Sequence, residues 1–153
     1  MDAAPFSVGD SGAARRAMVS FPCFPGMIKE PCTMADQSNV VSIHPYFKIH
    51  EGKLDEVKAL LPAFVAKVEN EDACLYYNFT LRSDELFCRE GYLGAAGALA
   101  HVENVGPELD QLFGLVEIIR IEVHGPGEEL AMLKEPFAEL NPTWWEYQTG
   151  IAG

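Results

Sequence analysis

Between residues 40 and 50 apolar and polar side chains alternate, with Val41, Ile43, Phe47 and Ile49 on one face and Ser42, His44, Tyr46 and Lys48 on the other. A period of two is the signature of a strand. Pro45 removes one ladder N–H, so this strand is expected either at a sheet edge or with a bulge at that point. Beyond Gly52 the period changes. Leu54, Val57, Leu61, Phe64, Val65 and Val68 recur at helical spacing with Lys, Asp and Glu between them, which predicts an amphipathic helix of about five turns. Pro62 should kink it, because the missing N–H frees the carbonyl of Lys58. Residues 70–72 supply the exit turn.

Two further strands, 74–82 and 86–92, are separated by Ser83, Asp84 and Glu85, a spacing that fits an antiparallel hairpin. Strict alternation puts Leu75, Tyr77, Phe79 and Leu81 on one face of the first and Cys74, Tyr76, Asn78 and Thr80 on the other. Both faces hold apolar or aromatic side chains, so both should be covered. A weaker helix is expected over 93–102, where Gly94 and Gly97 each cost roughly 1 kcal/mol relative to Ala. Pro107, favourable in a first turn, opens a short second helix carrying Leu109, Leu112 and Phe113. A fourth strand runs over 115–124 and ends at Gly125, Pro126 and Gly127. The tail reads as a helix over 128–140, then an extended segment over 143–148 with Trp144 and Trp145.

The order β-α-β-β-α-β is the ferredoxin-like plan of an α+β domain. Helices on one face of a four-stranded sheet leave the other face bare, here with Tyr46, Tyr76, Phe87 and Ile118 or their neighbours. An apolar patch of that kind marks an interface, and aromatic extended termini can complete a neighbour's sheet. A homodimer with its sheets face to face is expected, the tail serving the partner.

Residues 1–33 have no such periodicity. Pro5, Gly9, Gly12, Pro22, Pro25, Gly26 and Pro31 break the segment, which should be mostly disordered. It could be a targeting segment, with a short basic turn around Arg15 and Arg16, so organellar import stays open. The plainer reading, which we prefer, starts the working protein at Met34. Ser20, Pro22 and Pro25 interrupt the only apolar run that could serve a secretory signal, which favours a cytoplasmic protein. One domain, 34–153, then follows.

Charge sharpens this division. The chain of 153 residues carries 11 Lys plus Arg against 23 Asp plus Glu, a formal charge of −12. The three bases and three acids of the leader cancel, so the excess belongs to the folded part. An acidic domain repels phosphate backbones and anionic lipid heads, which argues against nucleic acid and membrane surfaces as partners. No apolar run approaches the roughly 20 residues of a spanning helix. Of the four cysteines, Cys23 and Cys32 lie in the leader, while Cys74 and Cys88 fall in strands as small core side chains. No C-x-x-C spacing signals zinc or haem attachment, and no H-E-x-x-H, G-x-S-x-G or phosphate loop occurs, so neither metal nor cofactor is expected.

The segment LFCREGY over 86–92, followed by AAGALAH over 95–101, resembles the antibiotic biosynthesis monooxygenase family of dimeric α/β barrels. In that family a strand carrying a Phe, a Glu and then a Tyr or Trp leads into a helix ending in Ala-His, and Phe87, Glu90, Tyr92 and His101 fall on those features. The opening pattern around residues 41–53 is also similar. The resemblance implies a cavity between sheet and helices in which relatives oxidise phenols or quinols with O₂ and no cofactor, degrade haem, or cyclise polyketides. A base would remove a phenolic proton in a dry pocket while polar groups hold the developing charge.

For that chemistry the resemblance and the residues together offer His101 as base, Tyr92 as hydrogen-bond donor and Asn78 as an orienting amide, with His44, Tyr76 and Glu90 around a small aromatic or polyketide-like molecule. Cofactor-independent oxidation is the first expectation. A cyclase or isomerase on the same fold, or a non-catalytic barrel that binds a small ligand or serves assembly, are the alternatives. Each residue also has a plain structural role open to it. His101 suits a helix C-terminus, Glu90 an ion pair with Arg89 or Arg120, and the tyrosines an interface or core. A second histidine frequent five positions later in the family is replaced by Gly106, and the Trp and Asn of haem-degrading relatives are not recognisable, so haem degradation is disfavoured.

Overall fold

The computed structural model describes residues 39–150. The expected leader, its boundary at Met34, and Cys23 and Cys32 lie outside them. Ten elements follow in chain order: β1 (Val40–Ile49), α1 (Leu54–Val68), β2 (Cys74–Arg82), β3 (Glu85–Leu93), α2 (Gly94–Asn104), α3 (Gly106–Phe113), β4 (Val116–Gly125), α4 (Gly127–Leu133), a 3₁₀ turn (Ala138–Leu140) and β5 (Thr143–Glu146). The strands form one sheet in the order β2-β3-β1-β4-β5. Every pairing among the first four strands is antiparallel, which is the ferredoxin-like α+β arrangement.

Pro45 is accommodated by the second of the two expected routes. β1 is central rather than peripheral, and its pairing with β4 shifts register between Tyr46 and Phe47, next to the proline that cannot donate. Beside that shift Ile118 and Ile119 are exposed on β4. α1 continues through Pro62 to Val68. The hairpin turns at Ser83, whose φ of 55° closes the tight connection.

Three expectations need correction. β2 also shifts register, between Cys74 and Tyr76. The extra residue, Leu75, reverses the alternation there, so Cys74 packs against the core with Tyr77 and Phe79. The tail helix is split, α4 ending at Leu133 and a 3₁₀ turn following at Ala138; Pro136 has no N–H to give and disfavours helical geometry in the residue before it. Finally, Thr143–Glu146 pairs in parallel with β4 of its own chain, from Glu122↔Thr143 to Gly125↔Glu146. Parallel neighbours require a crossover, and α4 with the following turn supplies it.

The core falls into two clusters on the helix side of the sheet. Val41, Ile43, Tyr92, Ala98, Val123 and Leu133 belong to one; Phe47, Val57, Phe64, Leu86, Leu112 and Val116 belong to the other. Among the described residues no helix lies over the opposite face of the sheet. There Tyr46 and Phe87 stack at 4.6 Å, the Arg120 guanidinium lies 3.8 Å above the Tyr46 ring, and Arg89 lies 4.8 Å above Tyr76. Gly91 makes room for this, since a Cβ there would meet the Tyr76 ring at 2.5 Å. Among the described residues no helix is long and apolar enough to cross a membrane.

Candidate active site

Alternation along β3 directs Leu86, Cys88, Glu90 and Tyr92 to the helix side, and this places a carboxylate in the core: Glu90 is 6% exposed. Opposite it stands His101, 3% exposed, in the last turn of α2. The small residues of α2 bring the two together. Gly94, Gly97, Ala98 and His101 share its buried face, and a Cβ on Gly97 would lie 2.8 Å from Cβ of Ala73 and 3.3 Å from Cβ of Tyr92. The glycines that weaken the helix locally are thus what lets it approach β3. Gly94 opens the helix at a φ of +71°, and the Ala95 N–H donates to Glu129 Oε2 of α4 at 2.6 Å, a cap supplied from another element.

His101 bridges two carboxylates. Nε2 is 3.2 Å from Glu90 Oε2, and Nδ1 is 3.1 Å from Glu71 Oε2. The same Glu90 oxygen accepts a hydrogen bond from the Tyr92 hydroxyl at 2.5 Å, while Asn104 Nδ2 donates to Glu71 Oε1 at 2.7 Å. The rings of Tyr92 and Tyr77 flank the imidazole, with centroids 4.8 and 5.2 Å away. Burial alone would lower the His101 pKa, but the hydrogen bond and charge of Glu90, joined by the charge of Glu71, reverse the shift and raise it. The imidazolium is therefore the form this environment selects. Burial, reinforced by Glu90, pushes the Tyr92 and Tyr77 hydroxyls and the Cys88 thiol upward and keeps them neutral.

Beside this network lies a cavity of about 150 Å³ at the seam between the two core clusters. Ile43, Phe47, Phe64, Tyr77, Phe79 and Cys88 form its body, and Leu109, Phe113, Phe137 and Leu140 line it from α3 and the tail. Glu90 and His101 bring a carboxyl group and an imidazole to its wall. A carboxyl group and an imidazole at the wall of a mainly apolar space can take up and return a proton.

The structure brings His101, Tyr92 and Glu90 together and leaves the other three sequence candidates elsewhere. Asn78 is exposed on β2, paired with Arg89. His44 and Tyr76 belong to the uncovered face, where His44 stacks on Phe87 and meets His124 edge-on at 5.0 Å. The arginine pairing considered for Glu90 does not form: alternation turns Arg89 to the other face, and Arg120 bonds Glu122 instead. Tyr92 contributes through Glu90, its ring being wholly buried beside His101. Glu71 and Tyr77 escaped the sequence reading. Glu71 sits in an exit turn without periodicity, and Tyr77 on an inward strand position is indistinguishable from a core aromatic.

No family model matches the sequence, and no curated protein does either. Among solved structures, MupZ from Pseudomonas fluorescens is 36% identical with a TM-score of 0.73, over 76% of this chain and 91% of that one. A candidate antibiotic biosynthesis monooxygenase from Caulobacter crescentus superposes with a TM-score of 0.51 at 18% identity, over 56% of this chain and 88% of the other. The chain is a relative of MupZ and has the fold of the antibiotic biosynthesis monooxygenase family. Rv0793 from Mycobacterium tuberculosis shares the family's fold at 20% identity and a TM-score of 0.53, over 57% of this chain and 95% of its own. At these lower identities the likeness is one of fold alone.

Proposed function

We propose that the protein is an acid–base enzyme that moves a proton on a small, neutral, largely apolar molecule, with Glu90 as the base and His101 as its cationic partner. One observation carries this reading: a carboxylate–imidazole pair, held at 3.2 Å, at the wall of an apolar cavity. Tyr92 orients the Glu90 carboxylate through its hydroxyl. The charge balance favours a neutral substrate. Two carboxyl groups face one imidazole, an excess of acidic over basic groups that disfavours a substrate entering or accumulating as an anion. Ring closure or double-bond isomerisation, in which the proton is taken and returned within one encounter, suits that field best. A cavity near 150 Å³ is the size that admits benzene in an engineered core, so a single ring, or the reacting segment of a longer polyketide-like chain, fits it.

Cofactor-independent oxidation of a phenol or quinol by O₂ is the second reading. It begins with the same proton removal, and the description of solved relatives as candidate monooxygenases supports it. Both readings are tested by following O₂ uptake and product mass with a panel of hydroquinones and hydroxylated polyketide fragments, for wild type, Glu90→Gln and His101→Ala. Isomeric product without O₂ uptake supports the first reading, and O₂ uptake with a mass gain supports the second. Equal turnover by wild type and Glu90→Gln removes Glu90 from the mechanism.

We further propose that two copies pair through the uncovered face of the sheet. Tyr46, Phe87, His44 and Tyr76 give that face its aromatic character, and such patches on a lone domain mark partners. Light scattering tests this: a mass near one 16.8 kDa chain overturns it. A reducing compartment such as the cytoplasm is supported by the free thiols of Cys74 and Cys88.

A further inference from the structure

His101 stands between two separate spaces. Its Nε2 faces Glu90 at the wall of the apolar cavity, and its Nδ1 faces Glu71, which lines a second space of about 260 Å³ between the end of α1 and the start of β2. This groove is polar where the cavity is not, with Glu69 and Glu71 beside Val65, Val68 and Cys74. Side-chain exposure rises along the network, from 4% at His101 to 13% at Glu71. Glu71 is also held firmly. Asn104 donates to its Oε1 at 2.7 Å, and the Lys67 ammonium ties the same end of α2 to α1 by donating to the Asn104 carbonyl at 2.8 Å.

The groups that face the imidazole are Glu71 from the turn after α1, Tyr77 from β2, and Glu90 and Tyr92 from β3. Both tyrosines are kept neutral by burial. Cys74, next to Glu71 in the groove, is pushed up to about 11 by burial and the nearby carboxylates, so it too stays protonated near neutrality. Among the described residues, Glu71 is thus the carboxyl group that touches both His101 and the groove. A substrate filling the cavity closes the other way out.

We propose that Glu71 is the positioning residue and proton port of the buried pair, fixing the ring with Nε2–H toward Glu90 and exchanging the Nδ1 proton with water in the groove. The proposal rests on the acid–base reading of the cavity. In the step itself the Nδ1–H bond of the imidazolium breaks and the proton bonds to a Glu71 carboxylate oxygen, leaving a neutral ring that keeps its Nε2–H. Glu71 then passes the proton to water, and the reverse sequence recharges the ring. The protonation state of the ring can thus change from the side of the groove, away from the apolar cavity.

The test is nitrogen-15 NMR of the His101 ring in the full-length protein, which requires no substrate, so it stands or falls independently of turnover. In wild type the Nδ1 proton should exchange with water faster than the Nε2 proton; the opposite order overturns the port, and this measurement needs no variant. Glu71→Gln keeps the shape and an acceptor while removing the charge. It should lower the His101 titration midpoint by about 1–3 pH units and slow Nδ1 exchange. Glu69→Gln, in the same groove but away from the ring, should alter neither. If folded Glu71→Gln protein keeps the wild-type midpoint and exchange rate, Glu71 has no such role. In an active preparation, the pH–rate profile of Glu71→Gln should shift with that midpoint, whereas a merely structural defect would lower the rate at every pH.

Discussion

Replacing Tyr92 by Phe isolates one bond of the network. The ring is wholly buried and stays so, and the hydroxyl whose bond to Glu90 Oε2 spans 2.5 Å is lost. A hydrogen bond to a charged group contributes about 1.5–3 kcal/mol, and the loss should sit in the upper part of that span because the acceptor is a buried carboxylate. Glu90 keeps His101 as a partner, so the far larger cost of an isolated buried charge does not arise. For a folded unit of about 110 residues, unfolding entropy near 2.1 cal/mol/K per residue converts about 2.5 kcal/mol into a melting point lower by roughly 11 °C. Scanning calorimetry at pH 7, with urea melts to check that the m-value is unchanged, reads the effect directly. Tyr77→Phe is the matched control. That hydroxyl faces only a thiol, Cys88, and its loss should cost less than about 1 kcal/mol. A drop of less than about 2 °C for Tyr92→Phe, or an equal drop for both variants, would refute the claim that Tyr92 supports the Glu90 carboxylate.

Gly97→Ala should destabilise the protein although it raises helix propensity by about 1 kcal/mol, because the new Cβ would lie 2.8 Å from that of Ala73; a higher melting point would show that α2 can retreat. Glu129→Ala removes the acceptor of the Ala95 N–H and should cost about 1 kcal/mol, seen as a lower urea midpoint. The His101 pKa is raised in the folded state, so the stability it contributes is complete below the unfolded value of about 6.5 and is lost as pH climbs through the folded one. The melting point of wild type relative to His101→Gln should therefore fall as pH is raised above about 6.5; a relative rise would reverse the assigned sign.

Most of the fold was legible because each element carries its own period. β1, α1, β2 and β4 announce themselves in runs of alternating or helically spaced side chains, and their order suffices for the ferredoxin-like plan. The failures are equally local in origin. One extra residue at Leu75 turns over the faces at the start of β2, and no periodic pattern marks a bulge in advance. Pro136 was visible, yet the tail was read as one helix across it. The tryptophans pointed outward to a partner, whereas the crossover through α4 lays their strand against β4 of the same chain.

By itself the sequence determined which side chains share a face on β1, α1 and most of β2, and the family resemblance set Glu90 and His101 beside a cavity. Only the tertiary structure decided that they meet. Glu71, Glu90 and His101 come from a turn, a strand and a helix, and a contact between elements depends on how closely they approach, which here is set by Gly97 against Ala73. Local periodicity contains no term for that distance. It also contains none for the cavity, which exists because two apolar clusters, each adequately filled, fail to close over the pair of charges between them.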